Sequence, residues 1–250
     1  MRHGYSAMTA LAVVCAAGIG ANATTRKDAR IASSVYRSFV FRHYLNDDDI
    51  KVVSKDGVVT LTGSVSAGYH KTLASAAADA QSGVKSVDDR LQIKGAGPEA
   101  GSDAWLAGKV KTALLFHRSV DAGETKVEAT DGVVTLSGRA GNQAQKDLTG
   151  EYARDVDGVK DVHNELTVAQ APSKARRLEE NIDDASITSE VKVILLFHRS
   201  TSALNTHVRT TGGVVTLDGK AASTAEKDLA GKIPGDAKGV KRVKNDIRVE

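Results

Sequence analysis

Cysteine is almost absent from this chain of 250 residues, which contains a single copy, Cys15. One cysteine cannot form a disulfide within the chain or build a cysteine-rich metal site. Aromatic residues make up only 4% of the sequence, and single-stranded nucleic acid binding relies on aromatic stacking platforms. We therefore expect no nucleic acid partner. Outside the N-terminal region, no segment has the roughly 20 apolar residues that a transmembrane helix needs.

Residues 1–23 have the pattern of a secretory signal peptide. Arg2 and His3 precede an apolar run at 7–20, and the small-x-small triplet Ala21–Ala23 follows it. We predict cleavage after Ala23, which removes Cys15 and leaves a mature chain without cysteine. A lipoprotein form is not expected, because the residue before Cys15 is not small. An export signal without disulfides favours a periplasmic location.

One eight-residue phrase with the core Val-Val-Thr-Leu occurs three times. Its copies start 75 and then 81 positions apart, and the same two offsets align three units of 67 residues without a gap. We call these unit 1 (28–94), unit 2 (103–169) and unit 3 (184–250), and take 95–102 and 170–183 as linkers. A repeat of this length is the size of a small domain that folds alone, not of a solenoid repeat.

Each unit begins with a pattern typical of an amphipathic helix. In unit 2, Leu106, Val110 and Leu114 fall on one face. Asp103 stands just before this stripe and is predicted to be its N-cap. The corresponding cap in unit 3 is predicted to be Asp184 or Ser186.

A β-hairpin is predicted next, and its turn is Asp131–Gly132 in unit 2. Asp-Gly between strand-forming runs favours a type I′ turn, in which both central residues have positive φ. On the return strand, Val134 and Leu136 share the inward face, and Gly138 is predicted to end the strand. The turn and strand-end glycines of the three units form one signature: Gly57, Gly63, Gly132, Gly138, Gly213 and Gly219.

A second helix and a final strand complete each unit, and Pro234–Gly235 is expected to shorten or kink this helix in unit 3. Because a helix separates the last two strands, they can pair in parallel. The predicted fold class is α+β: three tandem α-β-β-α-β modules, each with two helices packed on one face of a small mixed three-stranded sheet.

This element order, with D-G-x-V-x-L-x-G in the hairpin and G-V-x-x-V-x-N-x-L-x-V in the last strand, resembles the BON domain. The resemblance covers all three units. It implies a bacterial envelope protein that binds phospholipid or other envelope components, often in stress protection such as osmotic stress, without a defining catalytic residue. Unit 3 departs from the pattern with Gly212 in place of the turn aspartate and with Pro234 in its second helix. Unit 1 departs from it with Asp88–Arg90 where the other units place an asparagine before the last strand.

Two identical Phe-His-Arg-Ser segments, at 116–119 and 197–200, suggest either a phosphate site or the end of the first helix. Unit 1 has Phe41-Arg42-His43 there, with the order swapped. Because Arg and His present their donors differently, the swap favours a structural role, with the cations near the helix C-terminus.

Catalytic and metal sites are not predicted. None of the histidines has the spacing of a zinc site, and Asp47–Asp49 lacks the glycine and glutamate of a calcium loop. No Ser-His-Asp arrangement can be assigned from the sequence, so we expect no enzyme activity and no cofactor.

The candidate lipid contacts lie where the units differ. Trp105 is the only tryptophan and has Arg30 and Ser186 as its counterparts. With Lys109 and Lys111 nearby, it suits either a contact with anionic lipid headgroups or a seam between units. A basic strip near the last strand is the second candidate: Lys238, Lys241, Arg242, Lys244 and Arg248.

The net charges also differ, at +3, −4 and +3 for units 1 to 3 with their flanking residues, which fits different partners, packing between units or simple drift. The leading hypothesis is a non-enzymatic periplasmic protein that binds anionic phospholipid or envelope surfaces. The alternative is a chaperone-like or adaptor protein that binds other proteins through sheet edges or grooves between units.

Overall fold

The computed structural model describes residues 19–95, 98–169, 182–201 and 205–250, which include most of the three units. Most of the predicted leader, residues 1–18, lies outside the described residues, as do residues 170–181 of the second linker. The first helix begins at Ile19, so the predicted cleavage after Ala23 falls within it.

The elements follow the predicted order in every unit. Unit 1 contains α1 (Ile19–Arg37), α2 (Phe39–His43), β1 (Asp49–Lys55), β2 (Val58–Val65), α3 (Gly68–Asp79) and β3 (Ser86–Ile93). Unit 2 contains α4 (Asp103–Phe116), β4 (Thr125–Thr130), β5 (Val133–Ala140), α5 (Gln143–Arg154), β6 (Asp161–Asn164) and β7 (Thr167–Val168). Unit 3 contains α6 (Asp184–Phe197), β8 (Asn205–Thr211), β9 (Val214–Ala221), α7 (Thr224–Lys232), β10 (Arg242–Asn245) and β11 (Arg248–Val249).

The return strand of each hairpin is the central strand of its sheet. β2, β5 and β9 pair antiparallel with the strand before them and parallel with the last strand of their unit. The predicted mixed sheets are therefore confirmed. In units 2 and 3 the last strand is divided into two short strands, whereas β3 is continuous.

The core lies between each sheet and its helices. Val134 and Leu136 are fully buried, as predicted, and so are their counterparts Val215 and Leu217. The opposite sheet faces carry polar and charged side chains, because strand residues alternate between the two faces. Each unit thus has one open sheet face.

The helix starts differ from the prediction. Ser102, not Asp103, caps α4 by accepting from the Trp105 amide, and Asp183, not Asp184 or Ser186, caps α6. The Asp103 carboxylate instead accepts from the amides of Asp131 and Gly132, at 2.8 and 3.0 Å. Asp28 and Asp184 bind the corresponding turns of their own units in the same way. We call this contact the turn clamp.

The hairpin turns have the predicted conformation, with positive φ at both central residues in all three units. The predicted role of Gly138 is wrong, however, because β5 continues to Ala140. Gly138 has φ 118°, and a Cβ there would lie 2.1 Å from the Glu124 carbonyl oxygen. The glycine therefore makes room for the neighbouring backbone inside the strand, and Gly63 and Gly219 do the same in their units.

The first helix of unit 1 is broken at Ser38, which caps α2 and donates from its hydroxyl to the Val35 carbonyl. The expected effect of Pro234 is confirmed, because α7 ends at Lys232 and a 3-10 turn, Ile233–Asp236, follows. Among the described helices, none is long and apolar enough to cross a membrane.

The three units pack through their helices. α3 of unit 1 lies against α6 and, less extensively, α4, and α4 also contacts α6. α3 suits this position because its buried residues are small, including Ala74, Ala77 and Ala78.

Candidate functional site

The two Phe-His-Arg-Ser segments join unit 2 to unit 3. The Phe197 carbonyl accepts from the Asp157 amide at 2.7 Å, and the Arg199 amide donates to the Asp155 carbonyl at 2.9 Å. These two bonds enclose a short antiparallel bridge between Val156 and His198. The end of α6 is thereby tied to the chain that follows α5.

The same arrangement recurs with the units exchanged. The Lys238 amide donates to the Phe116 carbonyl at 2.9 Å, and the Arg118 amide donates to the Asp236 carbonyl at 3.0 Å. His117 forms the matching bridge with Ala237. Units 2 and 3 are therefore paired about an approximate two-fold axis. We call this contact the pairing interface; its segments are 116–119, 154–159, 197–200 and 235–240.

The arginine side chains cross the pairing interface. Arg118 donates to the carbonyls of Val240, at 3.2 Å, and Gly235. Arg199 donates to the corresponding carbonyls of Val159, at 2.9 Å, and Arg154. The segments do end the first helices, as expected, with His117 and His198 as C-caps. The arginine donors, however, satisfy carbonyls of the other unit rather than the last carbonyls of their own helix. In unit 1, Arg42 and His43 are exposed.

Asp236 is the polar centre of this interface. Its carboxylate accepts from the hydroxyls of Ser119, at 2.5 Å, and Tyr152, at 2.8 Å, and from Arg118 Nε at 3.3 Å. The His117 Nδ1 atom lies 3.5 Å away. Burial opposes ionisation of Asp236, but the His117 ring and the two hydroxyls outweigh it and hold its pKa far below the usual range.

The pairing is not fully symmetric. Within the described part of the chain, the carboxylate of Asp155, the counterpart of Asp236, is paired only with the His198 Nε2 atom, at 3.9 Å. Tyr152 stacks on His117 with their ring centroids 3.7 Å apart, and Ile233 occupies the corresponding position of unit 3. Burial and the Asp236 contact raise the Tyr152 pKa well above its usual value.

Lys109 is buried in the pairing interface, so its expected exposure is wrong. Only 4% of the residue is exposed. Its ammonium donates to the Asp157 carbonyl at 2.8 Å. The same ammonium lies 5.1 Å from the ring centroid of Trp105 and 5.3 Å from that of Phe197. Such an ammonium between two rings is held by cation–π attraction. It does not reach the surface of the paired units.

Lys111 is also held within the protein. Its ammonium donates to the carbonyls of Ala122 and Thr125, and burial lowers its pKa. Trp105 itself is half-buried and lies on the seam with unit 1, where Gly68 is close to its indole nitrogen. Of the two alternatives for Trp105, the structure therefore places it in a seam between units.

Unit 1 docks on both of the other units. The amides of Phe39 and Val40 donate to Asp183 Oδ2, at 2.9 Å, and to Ser186 Oγ, at 3.3 Å. Lys192 forms an ion pair with Asp79 at 2.7 Å. Ser186 is the counterpart of Trp105, so unit 1 covers the same helical position in both paired units.

Serine, histidine and aspartate do meet in unit 1, although the sequence did not reveal it. Asp48 Oδ2 lies 2.5 Å from His70 Nδ1, and Ser66 Oγ lies 3.0 Å from the same nitrogen. A proton relay to serine uses the two different ring nitrogens, so this geometry is not a catalytic triad. In units 2 and 3, Gln145 and Glu226 at the His70 position cap the second helix by accepting from backbone amides. In unit 1 the equivalent amide, that of Ser66, donates to Asp48 instead, and Asp48 also contacts His70.

The basic strip of unit 3 has the exposure that a surface contact needs. Lys241, Arg242, Lys244 and Arg248 are exposed, whereas Lys238 is partly buried where its backbone enters the pairing interface. In the described part of the chain, no three acidic, histidine or cysteine side chains are grouped as a metal site.

Strand register adds two cations to this strip, Arg209 and Lys220, which the sequence pattern did not single out. Arg209 and Lys244 both lie beside Thr216 of the central strand, and Arg248 lies beside Lys220. The open sheet face of unit 3 therefore collects five basic side chains: Arg209, Lys220, Arg242, Lys244 and Arg248. We call this surface the basic sheet face. The hairpin register of the repeated phrase was the signal that would have placed Arg209 on it.

Carboxylates neutralise only part of this surface. Arg209 pairs with Asp218 at 2.9 Å, Lys220 with Glu250 at 2.7 Å, and Lys244 with Asp246 at 2.6 Å. Among the described residues, Arg242 and Arg248 have no such ion pair. The open face of unit 2 is different, because Asp161, His163 and Thr167 replace the three cations of the last strand.

Comparison with known proteins agrees with this architecture. The BON domain model matches residues 27–95, 102–170 and 183–250. The chain is 36% identical over 148 residues to Osmotically-inducible protein Y of Escherichia coli (strain K12), covering 59% of this chain and 73% of that protein. It is 31% identical over 143 residues to Outer membrane lipoprotein DolP of Haemophilus influenzae, covering 56% of this chain and 72% of that protein.

Likeness to solved structures is weak. CdsD, a structural protein of the Type III secretion system of Chlamydia trachomatis, matches 88% of this chain and 90% of that chain at 18% identity, with a TM-score of 0.25. The three BON matches together span most of the residues, so the chain belongs to the BON domain family.

Proposed function

We propose that this protein is a non-enzymatic, exported envelope-stress protein that binds anionic phospholipid surfaces through the basic sheet face of unit 3. The names of its relatives, an osmotically inducible protein and an outer membrane lipoprotein, support a location in the cell envelope and a role in the stress response. The predicted signal peptide supports export to the periplasm. The basic sheet face is the observation that carries the proposal.

Electrostatics favours this surface. Basic side chains close to an anionic membrane each contribute about 1 kcal/mol of attraction. The cations without a partner contribute most, because Arg242 and Arg248 do not have to break an ion pair first. Long Arg and Lys side chains on a sheet can also reach the phosphates together, since they project from the same face.

The candidates Trp105, Lys109 and Lys111 have a smaller part in this proposal. While the units remain packed, Lys109 is buried and the ammonium of Lys111 is bound to carbonyls. They would require the units to separate before they could meet a headgroup.

Liposome co-sedimentation of the mature chain tests the proposal. We expect binding to vesicles with phosphatidylglycerol, little binding to pure phosphatidylcholine, and weaker binding as salt is added. Changing Arg242, Lys244 and Arg248 of the basic sheet face together to Gln should reduce binding to anionic vesicles at least about tenfold, since three contacts of about 1 kcal/mol are removed.

The matched control changes three exposed cations of unit 2, Lys126, Arg139 and Lys160, to Gln and should leave most of the binding intact. Equal loss in both triple variants would contradict a specific basic sheet face. If the wild-type chain binds none of the vesicles but suppresses the aggregation of an unfolded client protein, the chaperone-like or adaptor function replaces this proposal.

A further inference from the structure

His198 occupies the centre of one half of the pairing interface. It ends α6 and forms the bridge with Val156, between the bonds that join Phe197 to Asp157 and Arg199 to Asp155. Its side chain is only 11% exposed. A change of charge on this ring therefore occurs within the contact between units 2 and 3.

The hydrogen bonds of the ring define its protonation state. His198 Nδ1 accepts from the Ser200 amide at 3.1 Å, so Nδ1 carries no proton in the paired form. The other nitrogen, Nε2, faces Asp155 at 3.9 Å. Adding a second proton would place it on Nδ1, opposite an amide that is itself a donor. The interface therefore favours the neutral ring.

The charges around His198 are balanced while the ring is neutral. Asp155 after α5 supplies one negative charge, and Arg199, next to His198, supplies one positive charge. His117 at the end of α4 is the remaining titratable group that acts on it. Burial lowers the pKa of His198, and the attraction of Asp155 only partly offsets this effect.

His117, the counterpart of His198, has different contacts. Its Nδ1 atom faces the Asp236 carboxylate, with Tyr152 stacked on the ring and Arg118 beside it. The two histidines thus occupy equivalent positions but have different surroundings.

We propose that His198 makes the pairing of units 2 and 3 sensitive to acid, so that protonation of its ring opens the pairing interface. The sign follows from the contacts: the neutral ring is favoured when the units are paired, so the histidine stabilises pairing at neutral pH. This contribution is lost as the pH falls through the ordinary histidine value of about 6.5. Opening would expose Lys109 and Phe197, which the interface now covers.

Amide hydrogen exchange in the full-length mature chain tests this proposal, because it detects openings too rare to be seen otherwise. The Asp157 and Arg199 amides report the interface, since both donate across it. After correction for the intrinsic exchange rate, their opening constant should rise between about pH 7 and about pH 5, by up to about tenfold per pH unit. The amide of Leu136, inside the unit 2 sheet, should show no such rise.

The key variant is His198→Asn, in which the amide oxygen can still accept from Ser200 but cannot titrate. The pH-dependent opening should disappear in it, and His198→Gln is a second variant if the first folds poorly. His163→Asn, at an exposed histidine of unit 2, should keep the full dependence. An opening constant that does not respond to pH in the wild-type chain, or responds equally in His198→Asn, overturns the proposal.

Discussion

Glycine 138 has a role that its place in the repeated phrase does not reveal. A glycine after an apolar run is typical of a strand end, yet β5 continues through this position. The carbonyl of Glu124 lies where a side chain would begin. That contact joins residues on two strands, so the sequence could mark the glycine as special but could not give the reason.

We predict that Gly138→Ala destabilises the protein by about 2–3 kcal/mol, because a positive φ and a backbone clash act together. Urea denaturation followed by circular dichroism measures the change. Gly123→Ala is the matched control in the same unit; its Cβ would meet only the end of the Asp121 side chain, at 3.2 Å. A loss of similar size in both variants would contradict the role assigned to Gly138.

At the scale of elements, the sequence predicted nearly everything that depends on local pattern. Helix order, turn type and inward residues all follow from spacing and from the Asp-Gly pairs, and they are confirmed. The position of Asp103 was misjudged because a helix N-cap is a local signal, whereas the turn clamp joins the helix to a turn 28 residues later. The repeat of Asp28, Asp103 and Asp184 at fixed distance from the turns was the available clue.

The turn clamp predicts that the stability of the folded state depends on pH. The amides of Asp131 and then Gly132 lower the pKa of Asp103, so the ionised carboxylate stabilises the folded state. This contribution is complete above the unfolded value of about 3.9 and is lost as the pH falls below it. Asp103→Ala should therefore lower the melting temperature at pH 7, by a smaller amount at pH 3.

The control is Asp147→Ala, which removes an exposed carboxylate on α5. It should change the melting temperature little at either pH, because its exposed side chain does not bind a turn. Differential scanning calorimetry of the three chains at both pH values is the measurement. An Asp103→Ala effect that does not shrink in acid would show that the charge of the carboxylate is not responsible.

At the scale of the whole molecule, the sequence established three modules but not their arrangement. The sequence could not decide between a surface contact and a seam for Trp105, and Lys109 was expected on the surface, because each unit was considered alone. Their burial results from Gly68 of unit 1 and Phe197 of unit 3, which are far away in the sequence. The identical Phe-His-Arg-Ser segments, present in two of the three units, were the sequence signal for the pairing of units 2 and 3, since a two-fold contact uses the same surface on both partners.

The asymmetry of the pairing interface leads to the last prediction, a comparison of Asp236→Ala with Asp155→Ala. Asp236 accepts from Ser119, Tyr152 and Arg118, so its removal should cost about 2 kcal/mol, the usual range for hydrogen bonds to a charged group. Asp155 has a weaker contact: among the described residues its carboxylate is paired only with His198 Nε2, at 3.9 Å, so its removal should cost less than about 1 kcal/mol.

 

Asp236 and Asp155 should also differ in how their contributions to stability respond to acid. Because the pKa of Asp236 is far below its unfolded value, its contribution is present above pH about 3.9 and is lost as the pH falls towards the folded value. Chemical denaturation at neutral pH and in acid measures both variants. Asp236→Asn should recover part of the loss at neutral pH, because its single amide oxygen can still accept from one of the two hydroxyls, which donate to different oxygens of Asp236. Equal losses in Asp236→Ala and Asp155→Ala would mean that the two halves of the interface contribute alike, in contradiction to their different contacts.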